Sequence, residues 1–88
     1  MLIALPSLLQ KHTDGNEIVE VIGSTCKEGL QNLIQKYPRL TPYLFNENNE
    51  LTQFINIYLN GKDIRYLKED ISLTPTDRID ILISMAGG

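Results

Sequence analysis

The sequence holds few of the residues on which catalytic and metal sites depend. Its 88 residues include one cysteine, one histidine and no tryptophan. Because Cys26 has no second cysteine with which to form an internal disulfide, we expect a protein of the reducing cytosol. A metal site would have to consist mostly of carboxylates, and no such cluster occurs, so we expect no metal site. With so few nucleophiles and bases, we expect that the chain is not itself an enzyme.

An excess of basic charge and long apolar runs are also absent. Eight basic and eleven acidic residues give a net charge of −3. This balance argues against a nucleic-acid partner and favours a partner with a basic surface. No apolar run approaches the roughly 20 residues that cross a bilayer. Met1–Leu5 lacks the basic start of a signal peptide and meets Pro6 too early. We therefore expect one cytoplasmic domain with neither a nucleic-acid nor a membrane partner.

Alternating apolar residues and turn residues predict five strands. The strands are expected at Leu2–Leu5, Glu17–Ile22, Thr52–Leu59, Asp63–Tyr66 and Arg78–Ser84. Asp14-Gly15 and Asn60-Gly61 are residue pairs typical of hairpin turns. The first two strands and the third and fourth strands are therefore predicted to form hairpins.

One amphipathic helix is predicted between the second and third strands. Thr25 followed by Glu28 fits a capping box at its start. Pro38 ends it, because the residue before a proline is disfavoured in the α region. Gly29 costs up to about 1 kcal/mol relative to alanine, and close packing on the sheet is one reason to accept that cost. The apolar stripe of this helix comprises Leu30, Leu33, Ile34 and Tyr37.

The element order predicts an α+β fold. A single helix must cover one face of one mixed sheet, with the first and last strands at central positions. This is the β-grasp, or ubiquitin-like roll, expected over residues 1–84, with a short helical turn at Thr41–Phe45. On the other sheet face, Phe54, Tyr58 and Leu82 are expected to form a partner-binding patch, with scattered surface residues as the alternative.

The last four residues, 85–88, are expected to form a flexible tail that carries the function. Glycine has no Cβ, so Ala86, Gly87 and Gly88 make a thin end that suits threading into another protein's active site. The terminal carboxylate is ionised at neutral pH and is a weak nucleophile. We expect Gly88 to be the reacting terminus. A chance pair of glycines or a cloning remnant is the alternative.

Several short stretches together resemble a known family. They are Pro6 with Leu8-Leu9 and His12-Thr13, Gly23-Ser24-Thr25, Tyr37-Pro38, Phe54–Asn60 with Asp63-Ile64-Arg65, and Ala86-Gly87-Gly88. In these residues the chain resembles the MoaD/ThiS family of ubiquitin-like sulfur carriers. Within that family it is most similar to the carrier of thiocarboxylate-dependent cysteine biosynthesis. It departs from that subgroup at Thr76-Asp77, where a Gly-Asp is usual, and at Ile83-Ser84, where a proline is usual.

The resemblance implies a mechanism and a set of partners. A ubiquitin-activating-type adenylating enzyme would use ATP to adenylate Gly88, and a sulfur donor would convert the adenylate to a thiocarboxylate. The acceptor would be a pyridoxal-phosphate (PLP)-dependent cysteine synthase, followed by a metal-dependent protease, or the route would be molybdopterin- or thiamine-type cofactor synthesis. Cofactors would belong to these partners, and none is expected on this chain.

Three other readings of the sequence stay open. The chain could be a ubiquitin-like modifier conjugated to lysines through Gly88, a non-covalent β-grasp binding module, or a small enzyme. Cys26 is expected to be a structural cysteine rather than a reactive one, and His12 a surface or capping residue. Asp77 and Asp80 are expected to be solvated strand positions rather than an acid/base pair.

Overall fold

A computed structural model describes residues 1–66 and 72–84. Three helices and five strands form, and two short 3₁₀ helices span Pro38–Leu40 and Ile64–Tyr66. The helices are α1 (Ser7–Gln10), α2 (Cys26–Lys36) and α3 (Thr41–Leu44). The strands are β1 (Leu2–Ala4), β2 (Ile18–Glu20), β3 (Ile55–Leu59), β4 (Lys62–Asp63) and β5 (Arg78–Ile83).

The five strands form one mixed sheet in the order β2-β1-β5-β3-β4. β1 and β5 run parallel, and the other neighbouring strands are antiparallel. The first and last strands therefore lie side by side inside the sheet, as predicted. With α2 as the main helix, this arrangement confirms the β-grasp fold that the element order predicts.

The first hairpin is confirmed, but its connection is longer than a tight turn. Ser7–Gln10 forms α1, and Asp14 and Gly15 follow with φ values of 54° and 81°. The buried hydroxyl of Thr13 donates to the backbone carbonyls of Gln10 and Asn16, at 3.2 and 2.8 Å. These bonds hold the connection in one shape.

Helix α2 begins at the predicted cap. The Thr25 hydroxyl accepts the N–H of Glu28 at 3.1 Å, while the Glu28 carboxylate accepts the N–H of Ser24 instead of that of Thr25. The predicted apolar stripe faces the core, with Leu30 and Leu33 fully buried and the rest partly buried. The helix ends at Lys36, two residues before Pro38. The short helix predicted in the following connector is confirmed as α3.

Strand β3 turns the predicted side chains towards the core, although it begins at Ile55 rather than at the predicted Thr52. Its burial alternates, with Ile55, Ile57 and Leu59 buried and the residues between them half-buried. The Asn60-Gly61 turn is confirmed, because φ is 49° at Asn60 and 88° at Gly61, as a type I′ turn requires.

The fourth predicted strand, Asp63–Tyr66, is mostly wrong. β4 comprises Lys62 and Asp63 alone, and a 3₁₀ helix follows at Ile64–Tyr66. The physical reason is local competition for the backbone. The Asp63 carboxylate accepts the backbone N–H of Arg65 at 2.9 Å and pairs with its guanidinium at 2.6 Å. These bonds turn the chain away from the sheet.

The core lies between α2 and the sheet face that carries Ile3, Ile57, Ile79 and Ile81. Ile79 and Ile81 of β5 are 0% and 1% exposed, which confirms the predicted inner face of the last strand. The opposite face of the sheet is the one that remains available for partners.

Candidate functional site

The three residues predicted as a partner-binding patch lie on neighbouring strands and on one face. In the β3–β5 ladder, Asn56 is opposite Leu82 and Tyr58 is opposite Asp80. Leu82 therefore lies diagonally between Tyr58 and Phe54, and such diagonal neighbours are about 7–8 Å apart. Phe54 is 60% exposed and Leu82 48% exposed, while Tyr58 is half-buried. We call these three residues the outer patch.

The outer patch adjoins the point from which the last residues of the chain continue. The N–H of Ser84 donates to the carbonyl of Phe54 at 2.7 Å, so β5 is still held beside Phe54 at its last described residue. The predicted tail residues Ala86, Gly87 and Gly88 lie outside the described residues. Four residues span at most about 14 Å. The covalent chain therefore keeps Gly88 within that distance of Ser84.

Two exposed leucines extend the apolar surface at this end of the sheet beyond the outer patch. Leu51 is 39% exposed and lines a shallow depression with Phe54, Asn46 and Glu50. Leu8 is 61% exposed in α1, which follows β1. Because β1 is parallel to β5, α1 lies at the same end of the sheet as Ser84. Neither leucine belongs to an alternating strand pattern, so no sequence signal predicted either as part of a surface patch.

Asp77 and Asp80, both predicted as solvated strand positions, have structural partners, and only Asp80 lies in a strand, since Asp77 precedes β5. Asp80 pairs with the guanidinium of Arg78 at 3.1 Å. Asp77 accepts the N–H of Thr74 at 2.6 Å and the amide of Asn60 at 3.0 Å. The hydrogen bond from Thr74, then that from Asn60, lowers the pKa of Asp77 below its ordinary value. Each carboxylate thus binds its own neighbouring groups, and the two are not arranged as an acid/base pair.

The lone cysteine is a poor nucleophile. Cys26 is the first residue of α2 and packs partly buried against the core. Burial raises the pKa of its thiol to about 11. The thiol therefore stays protonated at neutral pH, in agreement with the predicted structural role.

The lone histidine is less exposed than the sequence predicts. The His12 ring stacks on Tyr43, with ring centroids 5.2 Å apart and an interplanar angle of 30°. Both ring nitrogens are buried, and among the described residues neither has a hydrogen-bond partner. His12 therefore packs as an aromatic side chain rather than capping the turn.

Neither a metal cluster nor a membrane span is found in the described part of the chain. Within residues 1–66 and 72–84, no three His, Cys, Asp or Glu side chains are grouped so as to hold a metal ion. Within the same ranges, no helix has the length and apolar character needed to cross a bilayer.

The fold and the site together define a ubiquitin-like β-grasp protein, and the comparisons place it in a family. The sequence model of the ThiS family matches residues 5–88. The chain therefore belongs to the ThiS family. In sequence it is 28% identical over 89 residues to the sulfur carrier protein CysO of Mycobacterium tuberculosis (strain ATCC 25618 / H37Rv), covering 98% of this chain and 96% of that protein.

Two solved structures share the whole fold. The BexX/CysO complex of Amycolatopsis orientalis superposes with a TM-score of 0.84 at 30% identity, over 99% of this chain and 98% of the matched chain. The small archaeal modifier protein 1 (SAMP1) of Methanosarcina acetivorans superposes with a TM-score of 0.83 at 30% identity, over 99% and 94%. The first is described as a complex with another protein and the second as a modifier.

Proposed function

We propose that this protein is a sulfur carrier whose C-terminal Gly88 is adenylated and then converted to a thiocarboxylate. The observation that carries the proposal is the placement of the exposed outer patch beside Ser84, from which the chain reaches Gly88 in at most about 14 Å. An enzyme that binds the outer patch therefore has the terminus within that reach. Membership of the ThiS family and similarity to CysO support the same role.

The proposed chemistry proceeds in two balanced steps. An oxygen of the Gly88 carboxylate attacks the α-phosphorus of ATP, which forms an acyl-adenylate and releases pyrophosphate. Hydrosulfide then adds to the acyl carbon, and AMP leaves with the electron pair of the broken C–O bond. The product is a C-terminal thiocarboxylate, whose sulfur is delivered in the site of a second enzyme.

This chain supplies the terminus and the recognition surface, and other proteins supply the catalysis. Glycine lacks a Cβ, so a chain end of Gly87 and Gly88 suits a narrow channel in a partner enzyme. Phe54 and Leu82 provide the exposed apolar contacts that a partner buries. We infer a cytoplasmic protein that is not an enzyme and has no cofactor of its own.

The proposed partners follow the chemistry of the two steps. The first is an adenylating enzyme of the ubiquitin-activating type, which holds the ATP. The second is a sulfur-accepting enzyme, for which we propose a PLP-dependent cysteine synthase with a metal-dependent protease acting afterwards. The similarity to the solved BexX/CysO complex of Amycolatopsis orientalis supports a protein partner for this chain.

The decisive experiment is intact-mass spectrometry of the protein after incubation with ATP, hydrosulfide and the adenylating enzyme of the same host. We expect a mass gain equal to the exchange of one oxygen for sulfur, located at Gly88 and absent after deletion of Gly88. An adenylate or enzyme-bound ester without thiocarboxylate, together with lysine-linked conjugates in cells, would instead establish a modifier. An unmodified terminus would overturn both readings and leave a non-covalent binding module.

A pair of variants separates docking from chemistry in the same assay. Leu82→Ser removes an exposed apolar side chain of the outer patch, and we expect a higher KM for the carrier in the adenylation reaction. Ile22→Ser is the matched control, because Ile22 is 87% exposed and follows β2 at the far edge of the sheet. Equal KM values for the two variants would show that the outer patch is not the docking face.

A further inference from the structure

The hairpin turn between β3 and β4 carries a dipeptide whose side chain and backbone can react with each other. Asn60 is followed by Gly61, and no other asparagine of the chain precedes a glycine. The backbone nitrogen after an asparagine can attack the side-chain amide carbon, and a glycine at that position has no Cβ to block the approach. Asn60 is therefore the asparagine of this chain that is most open to spontaneous deamidation.

Deamidation at Asn60 proceeds in two steps with water as the co-reactant. The Gly61 nitrogen gives up its proton and bonds to the Asn60 Cγ. The bond from Cγ to the side-chain nitrogen breaks, ammonia leaves with that electron pair, and a five-membered succinimide remains. Water then adds to either carbonyl carbon of the succinimide and breaks its bond to the Gly61 nitrogen, which regains a proton. The product is aspartate or isoaspartate at position 60.

The folded chain holds the Asn60 side chain in hydrogen bonds that the reaction must break. Its amide donates to the carboxylate of Asp77 at 3.0 Å, and its oxygen accepts the N–H of Arg78 at 2.9 Å. The backbone N–H of Asn60 donates to the carbonyl of Arg78 at 2.8 Å, which fixes the main chain from which the side chain extends. Ring closure requires rotation of the side chain until Cγ is within bonding distance of the Gly61 nitrogen. The two side-chain bonds therefore oppose the first step.

The product of the reaction would not fit this network. A carboxylate at position 60 has no N–H to donate, and it would face the Asp77 carboxylate that now accepts the Asn60 amide. Like charges at that distance repel each other. Isoaspartate would in addition lengthen the main chain of a two-residue turn. Because Asp77 and Arg78 form the start of β5, which lies between β1 and β3, the modified protein would be less stable at the centre of its sheet.

We propose that Asn60 is a latent site of spontaneous deamidation, and that its hydrogen bonds to Asp77 and Arg78 suppress the reaction in the folded protein. The reaction proceeds only while these bonds are broken, so the modification records local opening of the turn before β5. The site is independent of the proposed chemistry at Gly88, because Arg78 and Ser84 are at opposite ends of β5.

Incubation of the folded protein at mildly alkaline pH tests the proposal. Mass spectrometry of the peptide that contains residue 60 measures the exchange of the side-chain nitrogen for oxygen. We expect Asp77→Ala to react about three- to tenfold faster than the wild type, the scale of losing one hydrogen bond. Asp80→Ala is the matched control, because the Asp80 carboxylate pairs with the Arg78 guanidinium rather than with Asn60. We expect it to react at the wild-type rate.

Two further measurements separate local opening from unfolding of the whole protein. Ile81→Val lowers the global stability without changing any group that bonds to Asn60, since Ile81 is 1% exposed in the core. We expect this variant to react at the wild-type rate when folded. In guanidinium chloride, all four proteins should react at one common rate that exceeds that of the folded wild type.

Three results would overturn the proposal. The first is a folded wild type that reacts as fast as the unfolded chain. The second is an equal rate for Asp77→Ala and either Asp80→Ala or Ile81→Val. The third is a slower reaction in Asp77→Ala, which would show that this carboxylate assists the attack instead of preventing it.

Discussion

Burial decides the reactivity of the single thiol. Cys26 is the first residue of α2, where the positive end of the helix dipole lowers the pKa of a thiol. Desolvation acts in the opposite direction, and the pKa rises to about 11. Cys26 therefore contributes packing rather than chemistry.

Cys26 should react slowly with iodoacetamide at pH 8 in the folded protein and rapidly in urea, because only the thiolate is nucleophilic. The folded pKa is above the ordinary value of 9.0. The neutral thiol therefore contributes stability below about pH 9 that is lost as the pH rises towards 11. Mass spectrometry of the labelled protein measures the rates. Equal rates in the two states would contradict the burial of the thiol.

Close approach of two glycines fixes how α2 sits on the first strands. A Cβ placed on Gly23 would be 2.9 Å from the backbone nitrogen of Gly29. A Cβ placed on Gly29 would meet the sulfur and terminal methyl of Met1, which are the end of a flexible side chain. The backbone of the loop before α2 thus packs directly against the backbone of the helix.

Gly23→Ala should lower the free energy of unfolding by about 1–3 kcal/mol, as overpacking in a well-packed region typically does. Gly29→Ala is the comparison, and its loss should be smaller. The Met1 side chain can move, and alanine gains up to about 1 kcal/mol of helix propensity over glycine. Urea unfolding of both variants measures the difference. A larger loss for Gly29→Ala would show that Met1 is the more rigid neighbour.

At the scale of elements, the turn before β5 is tied to the hairpin turn between β3 and β4. The side-chain amide of Asn60 donates to Asp77, and its side-chain oxygen accepts the N–H of Arg78 at 2.9 Å. Asp77 also closes its own turn on Thr74. The residues Thr76-Asp77, which depart from the subgroup pattern, thus still form a fixed start for β5.

Asp77→Ala should destabilise the protein at neutral pH and remove part of its acid sensitivity. Hydrogen bonds from Thr74 and Asn60 hold the pKa of Asp77 below its ordinary value of 3.8. The ionised form therefore contributes stability above about pH 4 that is lost as the pH falls through the lowered pKa. Urea unfolding between pH 7 and pH 2 follows the effect. A pH profile of the variant parallel to that of the wild type would contradict this role for Asp77.

At the scale of the whole molecule, the fold and the proposed reacting end occupy separate stretches of the chain. The buried apolar residues of the described core run from Met1 to Ile81. The proposed chemistry requires residues 86–88, which follow the last described contact of β5 at Ser84. Stability and function should therefore respond to different mutations.

Deletion of residues 85–88 should leave the free energy of unfolding unchanged while it abolishes thiocarboxylate formation. Leu33→Ala is the opposite case, because Leu33 is 0% exposed and its truncation should cost about 2–5 kcal/mol. Urea unfolding and intact-mass spectrometry report the two properties independently. A large loss of stability on deletion of the four residues would refute the division of the chain at residue 84.

Local sequence determined those features of the fold whose physics is local. Asn60-Gly61 forms the predicted type I′ turn because few other pairs accept two positive φ angles. Thr25 caps α2 as predicted, and the alternation through Ile57 places the correct face of β3 in the core. The strand predicted at Asp63–Tyr66 is largely wrong, because the Asp63 carboxylate competes for the backbone of the next residues.

The element order predicted the central positions of the first and last strands, but only the tertiary structure decided the register of the strands and the exposure of each surface residue. The three residues of the outer patch are neighbours because β5 lies between β1 and β3. This strand order brings Leu82 beside Phe54 and Tyr58, although they are far apart in the sequence. The edge position of β2 and the exposure of Ile22 likewise depend on strand order. Strand order is set by the joint burial of one sheet face under α2. This packing joins residues that are far apart in the sequence, so the local sequence around a residue does not specify it.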